Sequence, residues 1–407
     1  MERVVVTGMG VASPLGCDLN EFWQGLSQGR SGVIALSDEQ YADLPSRIGG
    51  VVNGYTESDY FDRKELRRTS RSSQLAILAA SQAIAQAGLD SAEVEPREVG
   101  VVIGSSIGGF VASDPLFRDF YLHGKYSPLV IPISMNMGPS ASVSIRYNFQ
   151  GPLMNVDAAC ASAAHSIGTI YHMIRAGMLD IALAGGADSP FSRGIVMAWC
   201  AMKALSEHNE DPAHACRPFS ADRDGLVLGE GAAVLVLESE SSALRRGQPI
   251  LAEIKGYGAS SDSFHLTQPI QDGPVNAMRK ALRDAGLQAE QIDYINAHGT
   301  ATAWNDKNET AAIKAVFGEQ AYRIPVVSNK SALGHSIAAS GALEMVSCIL
   351  TLRDKIVPPT INYTTPDPEC DLDYVTYGAR SLSVTNIMTN SFAFGGSNAV
   401  LIVGEYQ

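Results

Sequence analysis

The sequence predicts an α/β fold built from two similar lobes, and three observations lead there. First, a strand over residues 3–7 runs into GMGVASPLG before a helix over 19–28, and a strand over 252–255 runs into GYGASSD before the helix PVNAMRKALRDAG. Strand, GxG pair, small residues and helix thus occur twice, the mark of a duplicated α/β unit. Second, continuous apolar runs alternate with helical segments along the chain. Third, 407 residues at 45% hydrophobic and 18% charged supply enough apolar surface for a large core or two fused ones. The repeat puts the boundary near residue 250, with an N-terminal lobe over 1–250 and a C-terminal lobe over 251–407.

Each element follows from its local pattern. Residues 99–103, 181–184, 232–237, 292–296 and 400–403 are short apolar runs of the kind that form strands buried on both faces. Helices are expected between them over 73–87, 161–176 and 341–352. Alternation of this kind implies mostly parallel sheets, with helical layers between and outside them. The GxG pairs lack the third glycine of a dinucleotide fingerprint, because Ser13 and Ser261 stand in its place. They read as tight turns out of buried strands.

A net charge of −13 argues against a sequence-independent grip on nucleic acid. No run of about 18 or more uncharged apolar residues is present, and MERVVVTGMG is not a secretory signal, so a cytoplasmic protein is expected. Cys17, Cys160, Cys200, Cys216, Cys348 and Cys370 show no CxxC pair, which fits neither a disulfide framework nor a zinc site.

Four segments carry chemistry. In GPLMNVDAACASAAHSIG, Cys160 follows a short strand and precedes a helix, whose positive end favours a thiolate. A thioester-forming nucleophile needs that; the alternative is a small buried cysteine. The surrounding Ala158, Ala159, Ala161, Ser162, Ala163 and Ala164 read as leaving room for something larger than the protein's own side chains. In NAHGTATAWND, His298 leaves the carboxyl end of a strand, where ligand sites gather in α/β sheets, or is satisfied by nearby hydroxyls. In NKSALGHSIAASGALE, Lys330 and His335 end another strand, with Glu344 a candidate partner for the lysine. Structural pairing suffices for Lys330 and Glu344 by themselves, and His335 could cap a turn. In NSFAFGGSNAVL, a glycine loop flanked by Phe392 and Phe394 offers closely spaced N–H groups for an oxyanion, or a hairpin with two core aromatics.

Together with VVVTGMGVASPLG and RPFSADRDGLVLGEGAAVLVLE, these motifs stand in an order that resembles the β-ketoacyl-[acyl-carrier-protein] synthases of the thiolase fold. The likeness covers essentially the whole chain. It is nearest to the Cys-His-His elongating group, both the long-chain synthases and the ketosynthases of nodulation-factor and aryl-polyene pathways. The resemblance implies an α-β-α-β-α layered fold and decarboxylative condensation of malonyl-acyl carrier protein with an acyl group on Cys160. It further implies that His298 and His335 stabilise the enolate, while Lys330 and Glu344 organise them. Cys160 and Phe394 match a second oxyanion hole, Phe394 also matches a gate, and Thr300 and Thr302 match hydroxyls that bind the pantetheine arm. Ile107, Trp199 and Phe392 match the acyl pocket. No metal or organic cofactor is implied.

Arg63, Lys64, Arg67, Arg68 and Arg71 cluster in an otherwise acidic chain, which suits docking of an acidic carrier protein or a solvated helix face. A homodimer is expected by resemblance, and a heterodimer with a chain-length-factor-like subunit is the variant. A non-catalytic subunit of that kind loses the cysteine that this chain keeps. A degradative thiolase needs a second cysteine near the C-terminal glycine loop, and none follows Cys370. Initiating synthases carry asparagine where His335 stands. Trp304, Asn329 and Ser397 depart from the family's usual residues, and Trp304 lies near enough to Thr302 to reshape the pantetheine entrance.

Overall fold

The computed structural model describes residues 2–37, 39–90 and 94–407. The first half of the chain forms strands β1 (Val4–Ala12), β2 (Val99–Gly104), β3 (Leu153–Met154), β4 (Ile181–Asp188) and β5 (Gly231–Ser239). Its main helices are α1 (Leu19–Ser27), α2 (Arg63–Arg68), α3 (Arg71–Gln86), α4 (Gly108–His123), α5 (Gly138–Tyr147), α6 (Ser162–Arg175) and α7 (Arg193–Ala201). The second half forms β6 (Ala252–Ser261), β7 (Tyr294–Asn296), β8 (Val326–Val327), β9 (Asn386–Ala393) and β10 (Ser397–Gly404). Helices α8 (Asp272–Ala285), α9 (Ala303–Phe317) and α10 (Ser340–Asp354) accompany them.

Strand order is β3-β2-β4-β5-β1 in the first half and β8-β7-β9-β10-β6 in the second, the same order repeated. In each half four strands run in one direction, as the alternation predicts, and only the fourth in order, β5 or β10, runs against them, which makes each sheet mixed. For β9 and β10 the reason is the short glycine loop between them, which can close a hairpin but cannot cross over. The halves join edge to edge where Val4–Val6 of β1 pair with Ile254 to Ala252 of β6.

Helices α6 and α10 pack on each other and on strands of both halves, making a middle layer. Ile167, Ile170 and Ile174 of α6 share one buried cluster with Leu343, Val346 and Ile349 of α10, Leu235 of β5 and Leu401 of β10. Helices α3 and α5 cover the outer face of the first half, and α8 and α9 that of the second. The result is the five-layer α-β-α-β-α arrangement.

The GxG pairs are not turns. Gly8 and Gly10 lie inside β1, and Gly256 and Gly258 inside β6. A Cβ on Gly8 or Gly10 would stand 2.2 or 2.1 Å from the carbonyl oxygens of Ala83 and Ala79 in α3. On Gly256 or Gly258 it would stand 2.6 or 2.1 Å from those of Ala281 and Ala277 in α8. Each pair is the groove in which the outer helix lies on its strand.

Candidate active site

A short extended segment after β3 ends in the turn Ala159–Ala161, which carries Cys160 immediately ahead of α6. Ala159 adopts φ +47°, a left-handed conformation that costs a non-glycine residue about 1–3 kcal/mol. Ser162 secures it: its Oγ accepts the Ala158 N–H at 2.9 Å and donates to the Ala159 carbonyl at 2.6 Å. Two of the small residues after Cys160, Ser162 and Ala163, are packed tightly against the strands. A Cβ on Gly104 of β2 would lie 2.8 Å from the Ser162 carbonyl, and one on Gly186 of β4 2.7 Å from the Ala163 Cβ. Their smallness lets the nucleophile's turn sink between β2 and β4.

His298 follows β7 and His335 follows the helical turn Lys330–Leu333 after β8, so both leave the carboxyl ends of neighbouring strands in the second half's sheet. His335 Nε2 lies 3.0 Å from Cys160 Sγ, and its Nδ1 lies 2.9 Å from Ser340 Oγ at the start of α10. The two imidazoles meet edge to face, with centroids 5.4 Å apart and planes at 86°. One ligand-capable atom from each of Cys160, His298 and His335 falls within 4.8 Å of the others. Such a set would also suit a soft metal ion, but an ion there would occupy the space a thioester needs to reach the sulfur.

Burial and Lys330 hold both histidines well below the usual imidazole pKa, so each is a neutral group with one N–H to donate. Lys330 is itself buried and forms an ion pair with Glu344 of α10. The thiol of Cys160 is pushed up to about 12 by burial, against the lowering effect of Lys330 and of the Cys160 and Phe394 backbone N–H groups. Burial thus favours the neutral thiol, where the helix-terminus reading favours a thiolate. The two N–H groups aimed at Sγ form a pocket for negative charge there.

A cavity of about 450 Å³ opens onto Cys160, His298 and His335. Thr300, Thr302, Trp304, Trp199, Phe392 and Phe394 line it. Thr300 and Thr302 share a hydroxyl contact of 2.9 Å, and Thr302 also caps α9 through the Asn305 N–H. Trp304 is 70% exposed at the mouth. Ile107 lies outside this cavity and packs with Trp199 against Leu205, Leu228 and Ile337, whereas Phe392 packs against His298 on the opposite wall. Asn329 accepts a hydrogen bond from Asn296 behind the histidines.

Arg63, Lys64, Arg67 and Arg68 project from α2 beside Ser127, Pro128 and Leu129 and line a second, shallow depression. Arg71 does not join them. It turns inward to pair with Glu230 and to donate to the Val52 carbonyl at 2.7 Å. Its place at the start of α3, facing β5, makes it a structural cation.

Two residues essential to this geometry escape a sequence reading. Glu309 of α9 accepts the His298 and Gly299 N–H groups at 2.8 Å each and thereby fixes the histidine loop. Asp188, at the end of β4, accepts the Ser106 and Ile107 N–H groups at 3.2 and 3.3 Å, and burial raises its carboxyl to about 7. An acid within the apolar run ETAAI was a usable signal for Glu309; Asp188 had none beyond its place at a strand end.

A duplicated five-layer fold that focuses a buried cysteine, two neutral imidazoles and two backbone N–H groups on one cavity defines an acyl-transferring condensing enzyme. Residues 1–243 match the family description "Beta-ketoacyl synthase, N-terminal domain" and residues 251–364 match "Beta-ketoacyl synthase, C-terminal domain". The chain is 43% identical to "Nodulation protein E" of Rhizobium meliloti (strain 1021), with 98% of each chain covered. It is 40% identical to "3-oxoacyl-[acyl-carrier-protein] synthase 2" of Synechocystis sp., covering 100% of this chain and 99% of that one. Among solved structures, "The ishigamide ketosynthase/chain length factor" superposes with a TM-score of 0.94 at 36% identity over the whole of both chains. The chain belongs to the β-ketoacyl synthase family, and it is a 3-oxoacyl-[acyl-carrier-protein] synthase-type condensing enzyme with the Cys-His-His set intact.

Proposed function

We propose that Cys160 takes an acyl group from the pantetheine thiol of acyl carrier protein and condenses it with malonyl-acyl carrier protein. In the first half-reaction the Cys160 sulfur attacks the thioester carbonyl. Its proton passes through the neighbouring His335 to the departing pantetheine thiolate. The tetrahedral oxyanion is held by the Cys160 and Phe394 N–H groups. In the second, the malonyl C–CO₂ bond breaks and its electron pair enters an enolate whose oxygen accepts from His298 and His335. The enolate carbon then attacks the acyl carbonyl, and the Cys160 thiolate leaves. The 3.0 Å approach of His335 Nε2 to Cys160 Sγ carries this reading.

The exposed cations Arg63, Lys64, Arg67 and Arg68 form the landing site for the acidic carrier protein. Thr300 and Thr302 hold the pantetheine arm at the cavity mouth, and Phe394 closes it until Cys160 is loaded. Ile107 and Trp199 bound the acyl pocket, and Lys330 with Glu344 keeps the histidines in place. We take 1–250 and 251–407 as the two lobes. The chain pairs with a second copy of itself: Tyr121, Leu122, Tyr126, Ile131 and Ile145, all strongly exposed, crowd the α4–α5 face beside the edge strand β3. A chain-length-factor-like partner would use the same face. No described helix is long and apolar enough to cross a membrane, and the enzyme works in the cytoplasm on fatty-acid or polyene-type elongation.

Incubating the purified chain with acyl- and malonyl-acyl carrier proteins, followed by mass spectrometry, tests the reading. An acyl adduct on Cys160 and a 3-oxoacyl product are expected. Absence of both, where a control synthase works, rules it out in favour of a non-catalytic partner subunit.

A further inference from the structure

Behind the glycine loop lies a hydrogen-bonded chain that the reaction above does not use. His165 is the fourth residue of α6, the helix that begins just after Cys160. Its Nε2 lies 2.9 Å from Ser397 Oγ and its Nδ1 2.5 Å from Tyr257 Oη. Ser397 is the first residue of β10 and pairs with Ala393, so it closes the loop Phe394–Gly396 whose first N–H points at Cys160 Sγ. Tyr257 comes from β6, and its ring rests directly on α6: a Cβ on Gly168 would stand 2.5 Å from that ring.

The loop needs such a tether. Gly395 and Gly396 hold φ +79° and +73°, a region that glycine enters without steric cost and leaves as easily. Other bonds tie the loop to the segment after β6: the Gly395 N–H donates to the Leu266 carbonyl at 2.7 Å, and the Asp262 N–H to the Gly396 carbonyl at 2.8 Å. The His165–Ser397 bond instead ties it to the nucleophile's own helix. A neutral imidazole has one donor and one acceptor, and each hydroxyl can supply the complement, so both ring nitrogens are satisfied without a charge. Burial favours that neutral form.

We propose that His165 is a positioning residue for acyl transfer: acting through Ser397, and oriented by Tyr257, it sets the spacing between the Cys160 and Phe394 N–H groups. The proposal rests on those two N–H groups being the oxyanion hole of acyl transfer. Decarboxylation relies on His298 and His335 and does not pass through this tether.

Ser397→Ala and His165→Ala should each slow single-turnover acylation of Cys160 by a saturated acyl thioester of acyl carrier protein about 10- to 100-fold, the effect of a small misplacement of a reacting geometry. Ser397→Thr keeps the hydroxyl and should restore the rate. Added to a Cys160→Gln background, His165→Ala should leave malonyl decarboxylation within about 2-fold. Acylation unchanged by Ser397→Ala, or a parallel fall in both half-reactions, overturns the proposal, the latter because general damage to the fold would produce it. Acylation of the unaltered enzyme in the same assay separates this failure from a failure of Cys160 as the nucleophile.

Discussion

The indole of Trp199 and the ring of Phe394 stack with centroids 5.7 Å apart and planes at 24°. Trp199 belongs to α7 in the first half and Phe394 to the loop between β9 and β10 in the second. The stack therefore joins the two halves across the cavity that leads to Cys160, and holds a ring that is 37% exposed in place over the nucleophile.

Trp199→Ala removes that support. An aromatic pair of this kind contributes about 0.5–1.5 kcal/mol beyond burial, so the open loop should be populated about 2- to 10-fold more. Malonyl would then enter before Cys160 is loaded. The readout is the CO₂ released beyond one per 3-oxoacyl product, which should rise by that factor; an unchanged excess means that the stack does not restrain the gate.

The Cys160 thiol, pushed up to about 12, is protonated at neutral pH. Below its pKa the thiolate fraction grows with pH, so alkylation of the free enzyme by iodoacetamide should rise about 10-fold per unit between pH 7 and 9 with no plateau. Peptide mass spectrometry of Cys160 follows it. A plateau near pH 8 would mean that the helix terminus and Lys330 outweigh burial.

Lys330→Ala strands Glu344 in the core. Breaking one partner of a buried pair costs about 3–5 kcal/mol, whereas replacing both by apolar residues of similar volume is often neutral. Denaturant unfolding should show that loss for Lys330→Ala and recovery in Lys330→Met/Glu344→Leu. Decarboxylation should stay low in both variants, because each lacks the cation beside the histidines.

Reversing charge in the α2 patch with Arg67→Glu/Arg68→Glu should raise KM for an acyl-carrier-protein substrate about 10-fold at low ionic strength, less as salt screens the surface. A free pantetheine thioester, which lacks the protein, should be turned over as before. Equal effects on both substrates would place the damage in the catalytic cavity.

Much of the site was legible because its reacting groups sit in short segments with local grammar. Cys160 precedes a helix, and His298 and His335 leave strand and turn ends; the structure brings all three to one point. The GxG pairs of β1 and β6 misled because a glycine that admits a turn and one that admits a helix look alike in one dimension. Arg71 misled in the same way: as one basic residue in DRKELRRTSR it reads as surface, yet the start of α3 faces Glu230.

The sequence by itself determined the inventory of chemistry and the duplicated order of strands and helices, since both follow from side-chain type and from patterns within about one element's length. Only the tertiary structure decided the protonation state of Cys160, the neutrality of the two histidines, and the aim of the Phe394 N–H. Those depend on desolvation and on groups far apart in the chain. The nucleophile was evident as a residue, and folding made it a thiol that becomes reactive only when its proton has somewhere to go.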